Sequence, residues 1–424
     1  MTPRQATVRV GGEVQFTAAD AQGRPVDVTY RVMEAGGGSV TLSGRYRAPV
    51  QAGTYRVQAQ TADHRQSGEA SVTVAPYQGS LTRLANSQFT HVAHSATLLE
   101  DDSVLLVGGP ESSVAERFLP ATGTFVGAGD MGAKRWSHTA DALPGGSVLF
   151  TGGIGAGGAL GSSTLYANGR FTSVVSRMVQ ARYAHRAALL PDGRLLLTGG
   201  LPFTGSDVTA LAACEIYDPA QQTFSPASPM SVPRAGHTAT RLPDGRILVV
   251  GGQDSTCLFS CPITIWQTAE LYDPATGTFQ PTGAMSQRRF NHTATLLPDG
   301  RVLVAGGTSP DTPDTDVSSL VEIYDPATGL FQAVGHMVRP RSQHTATLLG
   351  DGTVLMAGGQ TYGENTLASA TVEAFDPATG NSRLTSSDAT TRYRHAAVRL
   401  ASGPVLIVGG SEGGAPIFIV ERYE

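Results

Sequence analysis

Short apolar runs alternate with glycine-marked turns over most of this chain. From His292 to Gly307 the order is His-Thr-Ala-Thr-Leu-Leu-Pro-Asp-Gly-Arg-Val-Leu-Val-Ala-Gly-Gly. Thr293 to Leu297 is apolar and β-branched, Asp299-Gly300 supplies the positive φ of a hairpin turn, and Val302 to Ala305 is a second apolar run ended by a diglycine. A third run, Glu322-Ile323-Tyr324-Asp325-Pro326, passes through Ala327-Thr328-Gly329 into a fourth that begins at Phe331. The pattern predicts four strands in succession.

The unit returns with its histidine at His94, His138, His185, His237, His292, His344 and His395, at intervals of 44 to 55 residues. Such a period marks stacked supersecondary units, and four strands per unit make a propeller blade. The aromatic that opens the fourth strand, at Phe125, Phe171, Phe224, Phe279 and Phe331, is replaced ahead of His94 by Leu81. The last copy stops after its third strand, Val420-Glu421-Arg422-Tyr423. A strand at Ser80 to Leu84 is therefore expected to complete the seventh blade, removing two exposed edges.

Residues 1–76 lack the repeat. Alternating runs at Val8-Arg9-Val10, Val14-Gln15-Phe16-Thr17, Val26-Asp27-Val28-Thr29-Tyr30, Tyr55-Arg56-Val57-Gln58-Ala59 and Ala70-Ser71-Val72-Thr73-Val74 predict a small antiparallel sandwich. Ala75-Pro76-Tyr77 is the expected boundary, leaving residues 77–424 for the propeller.

The diglycine, the Glu-x-Tyr-Asp-Pro strand and an Arg-x-x-His lead into each first strand resemble Kelch repeats of the bacterial and galactose-oxidase-like type. Gly44-Arg45-Tyr46-Arg47-Ala48-Pro49 followed by Gly53-Thr54-Tyr55 resembles bacterial immunoglobulin-like domains. The expected fold is all-β: a seven-bladed Kelch β-propeller behind a small N-terminal immunoglobulin-like β-sandwich. These resemblances imply a secreted, periplasmic or cell-surface protein whose export signal was removed ahead of residue 1.

Galactose-oxidase-like enzymes place copper tyrosines at the position of the repeat histidine and at the one before it. Here the first position is histidine throughout, and the second is Ala93, Ser137, Ala184, Gly236, Asn291, Gln343 or Arg394. The resemblance therefore carries the fold without the copper site.

Arg-x-x-His occurs at Arg135/His138, Arg182/His185, Arg234/His237, Arg289/His292, Arg341/His344 and Arg392/His395, with His91 standing for arginine ahead of His94. A feature repeated in nearly every blade answers a need of every blade, so it reads as structural, as do Glu215, Glu270, Glu322, Glu373 and Glu421.

Asymmetry is the better guide to a site. The segments between diglycine and third strand are longest in the third to sixth copies, and binding residues concentrate on loops over a rigid frame. Their content nominates Phe203, Asp207, Asp254, Phe259, Trp266, Tyr362 and Glu364 as ligand contacts suited to sugar rings or peptide cations. The same aromatics would also serve to pack the loops down. Asp311, Asp314 and Asp316 are calcium candidates, although their spacing departs from Asp-x-Asp-x-Asp-Gly; otherwise no cofactor is expected. Cys257 and Cys261 suit a disulfide closing a small loop, and as a metal pair they fall two ligands short of a zinc site.

With 40% hydrophobic residues, 15% charged and a net charge of −5, the chain can bury large cores and has no electrostatic reason to bind nucleic acid. No apolar run reaches the roughly 20 residues of a membrane helix. The expected role is a monomeric, non-enzymatic binding protein offering its loop face to a glycan or protein partner. The alternative is a carbohydrate-active hydrolase or lyase using loop carboxylates.

Overall fold

The computed structural model describes residues 1–9, 13–49, 53–75, 79–203, 208–256, 263–312, 316–361, 367–386 and 389–424. All regular structure among them is strand.

The repeat folds as its pattern dictates. In the fifth copy Thr293–Leu296, Val302–Ala305, Leu320–Asp325 and Leu330–His336 pair in sequence order, each antiparallel to the last. Seven four-stranded sheets of this kind are present among the described residues; they are numbered as blades 1 to 7 after the repeat histidines. The innermost strands, Ser95–Leu98, Thr139–Ala142, Arg186–Leu189, Thr238–Arg241, Thr293–Leu296, Thr345–Leu348 and Ala396–Arg399, each contact the next, and the seventh contacts the first. The result is a closed β-propeller. In blade 7 the outer strand is Leu81–Arg83, antiparallel to Val420–Tyr423, and Ser80 and Glu424 exchange backbone hydrogen bonds of 2.9 and 3.0 Å beside it.

The core lies between blades. Second strands are continuous apolar runs because both faces are covered. Val302 and Val304 pack toward Leu248 and Val250 of blade 4, while Leu303 and Ala305 pack toward Val354 and Met356 of blade 6. Full burial of such a side chain contributes about 1.5–3 kcal/mol.

Two repeated motifs turn stacked sheets into a fixed ring. The first glycine of each diglycine faces the histidine of the following blade. A Cβ on Gly251 would sit 2.6 Å from the Arg289 carbonyl and 2.8 Å from His292 Cε1, and one on Gly108 would sit 2.5 Å from both Arg135 O and His138 Cε1. Glycine is required there by contact as well as by a positive φ, +64° at Gly251 and +94° at Gly108. The arginine of Arg-x-x-His stays within its own blade. Arg182 donates through Nη1 to Gly199 O and Ala213 O at 2.8 and 2.9 Å, and through Nη2 to Glu215 at 2.6 Å, tying the lead-in segment to the second and third strands.

In the N-terminal region, Gln5–Arg9, Ser67–Ala75, Gly53–Gln60 and Thr29–Val32 form one sheet, and Glu13–Gln15, Arg45–Arg47 and Ser39–Val40 a second. Phe16, Tyr46, Tyr55, Val57, Val72 and Val74 fill the space between them. The sequence reading of an all-antiparallel arrangement is corrected here: Gln5–Arg9 runs parallel to Ser67–Ala75, in the register Gln5 with Ser71 to Arg9 with Ala75. Alternation sets which face a residue takes and leaves strand direction open, so pattern alone did not distinguish the two. Of the expected boundary, Pro76 and Tyr77 lie outside the described residues.

Candidate functional site at the mouth of the central channel

The residue before each repeat histidine takes the left-handed conformation: Ala93, Ser137, Ala184, Gly236, Asn291, Gln343 and Arg394 have φ of 49° to 64°. Left-handed backbone at a residue with a side chain costs about 1–3 kcal/mol, and persists where surrounding structure demands it. The demand is visible. Ser137 N donates to Ala93 O, Ala184 to Ser137, Gly236 to Ala184, Asn291 to Gly236, Gln343 to Asn291, Arg394 to Gln343 and Ala93 to Arg394, at 2.8–3.3 Å. Seven backbone bonds close a collar around the axis.

Within it the histidines hold blade to blade. His138 Nε2 lies 3.0 Å from Ser95 Oγ, and His292, His344 and His395 make the same contact with Thr238, Thr293 and Thr345 at 3.1, 3.0 and 2.9 Å. Burial, reinforced by the neighbouring arginine, pushes the pKa of His138 and His344 down to about 3. Desolvation likewise places His94, His185, His237, His292 and His395 well below the ordinary imidazole range. These rings are neutral structural groups. In blade 2, Asp141 on the inner strand is raised to about 6 by burial.

The position before each collar residue pairs, from blade 2 onward, with the residue after the diglycine of its own blade: Trp136 with Ile154, Tyr183 with Leu201, Ala235 with Gln253, Phe290 with Thr308, Ser342 with Gln360 and Tyr393 with Ser411. The lead-ins and the long loops therefore share one face. There a cavity of about 470 Å³ opens, walled by Trp136, Tyr183 and Phe290, with Arg186, Asn291, Gln343 and Arg394 among its polar groups. No carboxylate is among its described lining residues. At its rim Arg394 Nε donates to Gln343 Oε1 at 2.6 Å, and the guanidinium lies 5.8 Å from the Tyr393 ring centre.

The loop candidates fare differently. Trp266 donates its indole N–H to Pro233 O at 2.9 Å and so pins its loop to the blade. Asp254 Oδ1 accepts from Thr264 N at 2.8 Å and Ser255 Oγ at 3.0 Å, shaping the same loop. Phe203 is 56% exposed and free of that duty. None of the three lines the cavity. Val208–Thr209 and Ser255–Thr256 form a two-stranded clasp between the loops of blades 3 and 4. Asp311 is engaged with Arg288, accepting from its backbone N at 2.7 Å and its Nε at 2.9 Å, and Asp316 O accepts from Ser309 N. Asp207, Cys257, Phe259, Cys261, Asp314, Tyr362 and Glu364 lie outside the described residues. Cys214 is a free buried thiol raised to about 12 by desolvation.

Sequence reasoning passed over the cavity because it treated Arg-x-x-His as one structural unit. The signal was inside it: two variable positions, Trp-Ser, Tyr-Ala, Ala-Gly, Phe-Asn, Ser-Gln and Tyr-Arg, between two fixed ones.

Among solved structures the chain is similar to one described as a novel fungal alcohol oxidase with catalytic diversity among the AA5 family, in complex with copper. That match has 18% identity over 82% of this chain and 76% of the other, with a TM-score of 0.66. It is also similar to YjhT, at 13% identity over 71% of this chain and 99% of the other, with a TM-score of 0.55. At these identities the likeness is one of fold. The residues do not fit a copper centre: no three of His, Cys, Asp and Glu gather in metal-holding positions among the described residues, and every repeat histidine but His94 is engaged with a hydroxyl. No curated protein matches the chain. Residues 170–415, more than half of the sequence, match the Attractin/LZTR1 beta-propeller family, and the chain belongs to that family.

Proposed function

We propose that this protein is a non-catalytic binding protein that receives a glycan or protein partner on the face bearing the collar, and that it works outside the cytoplasm. The propeller fold supports a binding or interaction role. The observation that carries the finer reading is the cavity itself. Aromatic walls and convergent amide and guanidinium groups, all at variable positions, stand on a frame whose fixed positions are consumed by structure. A hydrolase or lyase working through paired acids gains no support, since no carboxylate is among the described lining residues.

A glycan array and a peptide array probed with the full chain test this. Trp136→Ala and Phe290→Ala are expected to abolish capture, and Trp266→Ala to leave it. The reverse pattern moves the site to the long loops, and no capture by the wild type removes the reading.

A further inference from the structure

Arg186 departs from the pattern of its own position. The residue after the repeat histidine is Ser95, Thr139, Thr238, Thr293 or Thr345 in five blades, where its hydroxyl lies 2.9–3.5 Å from the next blade's histidine Nε2. In blade 3 an arginine takes this place, and His237 turns to Thr198 Oγ1 at 2.8 Å instead. The frame has no use for the guanidinium. Its single described side-chain hydrogen bond runs from Nη1 to His185 O at 3.1 Å, and no described carboxylate pairs with it. By contrast, the Arg-x-x-His arginines of blades 3 to 7 each reach a glutamate at 2.5–3.0 Å.

Arg186 lines the cavity at the start of the inner strand Arg186–Leu189, two residues after Ala184 of the collar. The guanidinium shares that lining with Gly236 of blade 4 and Asn291 and His292 of blade 5, and desolvation lowers its pKa. A desolvated cation is unfavourable unless paired. Asp141, the one acidic residue on the seven inner strands, forms no described ion pair with it.

The geometry points to an anion site: a small carboxylate-bearing molecule enters the channel mouth and seats its carboxylate on the Arg186 fork, with its body between Trp136, Tyr183 and Phe290. A planar guanidinium matches a carboxylate through two parallel hydrogen bonds, which fits a single half-buried arginine on the cavity wall better than a diffuse positive patch would. This inference rests on the channel mouth being the binding face.

The test uses the full chain, saturation-transfer NMR and thermal shift, with acetate, glucuronate and inorganic phosphate as probes and glucose as the uncharged counterpart of glucuronate. The wild type is expected to bind glucuronate at least tenfold tighter than glucose. Arg186→Thr installs the residue of blades 2, 4, 5 and 6, is expected to fold with an unchanged melting temperature, and should lose tenfold or more of the glucuronate affinity. Arg186→Lys, which keeps charge without the fork, should fall between. Equal binding by wild type and Arg186→Thr, no carboxylate binding by the wild type, or phosphate binding tighter than either carboxylate overturns the assignment. Array capture that survives Arg186→Thr beside such a result removes the anion site and leaves the binding face standing; a carboxylate response that depends on Arg186 without any array capture keeps the anion site and removes the glycan or protein partner.

Discussion

Blades 3 to 7 and blades 1 and 2 meet the same requirement with different groups. In the first set a buried arginine spans from the second strand to a third-strand glutamate. In blade 1, His91 replaces it, with Nδ1 3.0 Å from Gly108 O and Nε2 2.9 Å from Glu116. In blade 2 the arginine remains and the glutamate is gone: Arg135 reaches Gly152 O at 2.9 Å, Ser162 O at 3.1 Å and the hydroxyls of Ser162 and Thr164 at 3.3 and 3.4 Å, and its pKa falls to about 10 through burial. The fixed requirement is a donor bridging two strands; the countercharge is interchangeable.

The largest expected effect ignores the distinction between the two sets. The seven repeat histidines titrate far below the ordinary imidazole value of about 6.5 when folded, so below that pH the unfolded chain binds protons that the folded chain refuses. Stability should therefore fall as pH drops from about 6.5 toward 3, by up to about 1.4 kcal/mol per pH unit for each histidine. Urea unfolding at pH 7, 5.5 and 4.5 measures it; a flat profile would mean the rings take up protons in the fold as readily as in the unfolded chain.

Next comes the contrast itself. Arg341→Ala leaves Glu373 buried without its cation and should destabilise by about 3–5 kcal/mol. Arg135→Ala strands only carbonyl and hydroxyl groups and should cost about 1–2 kcal/mol. Equal losses in denaturant titrations would erase the difference between the two sets of blades.

Gly251→Ala and Gly108→Ala should cost about the same, near 3 kcal/mol, because both place a methyl against the following blade's histidine and carbonyl whichever set the blade belongs to. Gly352→Ala, with φ of +85° and open space around it, should cost only about 1 kcal/mol. The smallest effect is a gain. Thr164→Glu gives Arg135 the countercharge of the other blades and should add about 1 kcal/mol, desolvation of the new carboxylate offsetting much of the attraction. No gain would show that the hydroxyls already suffice.

The frame was legible because it is repeated. A diglycine and a histidine recurring together expose a contact that every blade must make, so periodicity, turn chemistry and strand pattern agree on a propeller. The site was less legible for a matching reason. Trp136, Tyr183 and Phe290 come from three blades and are distant in sequence, and only closure of the ring brings them to one cavity. Length drew attention to the loops, yet Trp266 bonds the lead-in of its blade and Asp254 bonds within its own loop, so both serve the loop's shape. Arg186 was readable as the one charged residue after a repeat histidine, but its lack of a described carboxylate partner is a fact of three dimensions.

The collar closes around seven blades through main-chain hydrogen bonds. Apart from Gln343, which bonds Arg394 and Gln360, its side chains make no described hydrogen bond that the ring's closure uses, and recognition can be rewritten one blade at a time without unfastening the ring. The constraint that remains is conformational: each replacement must tolerate a left-handed backbone, which favours glycine and asparagine and works against β-branched residues. Diversification of this mouth should therefore be broad in polarity and size and narrow in branching, a vocabulary set by the backbone before any ligand is met.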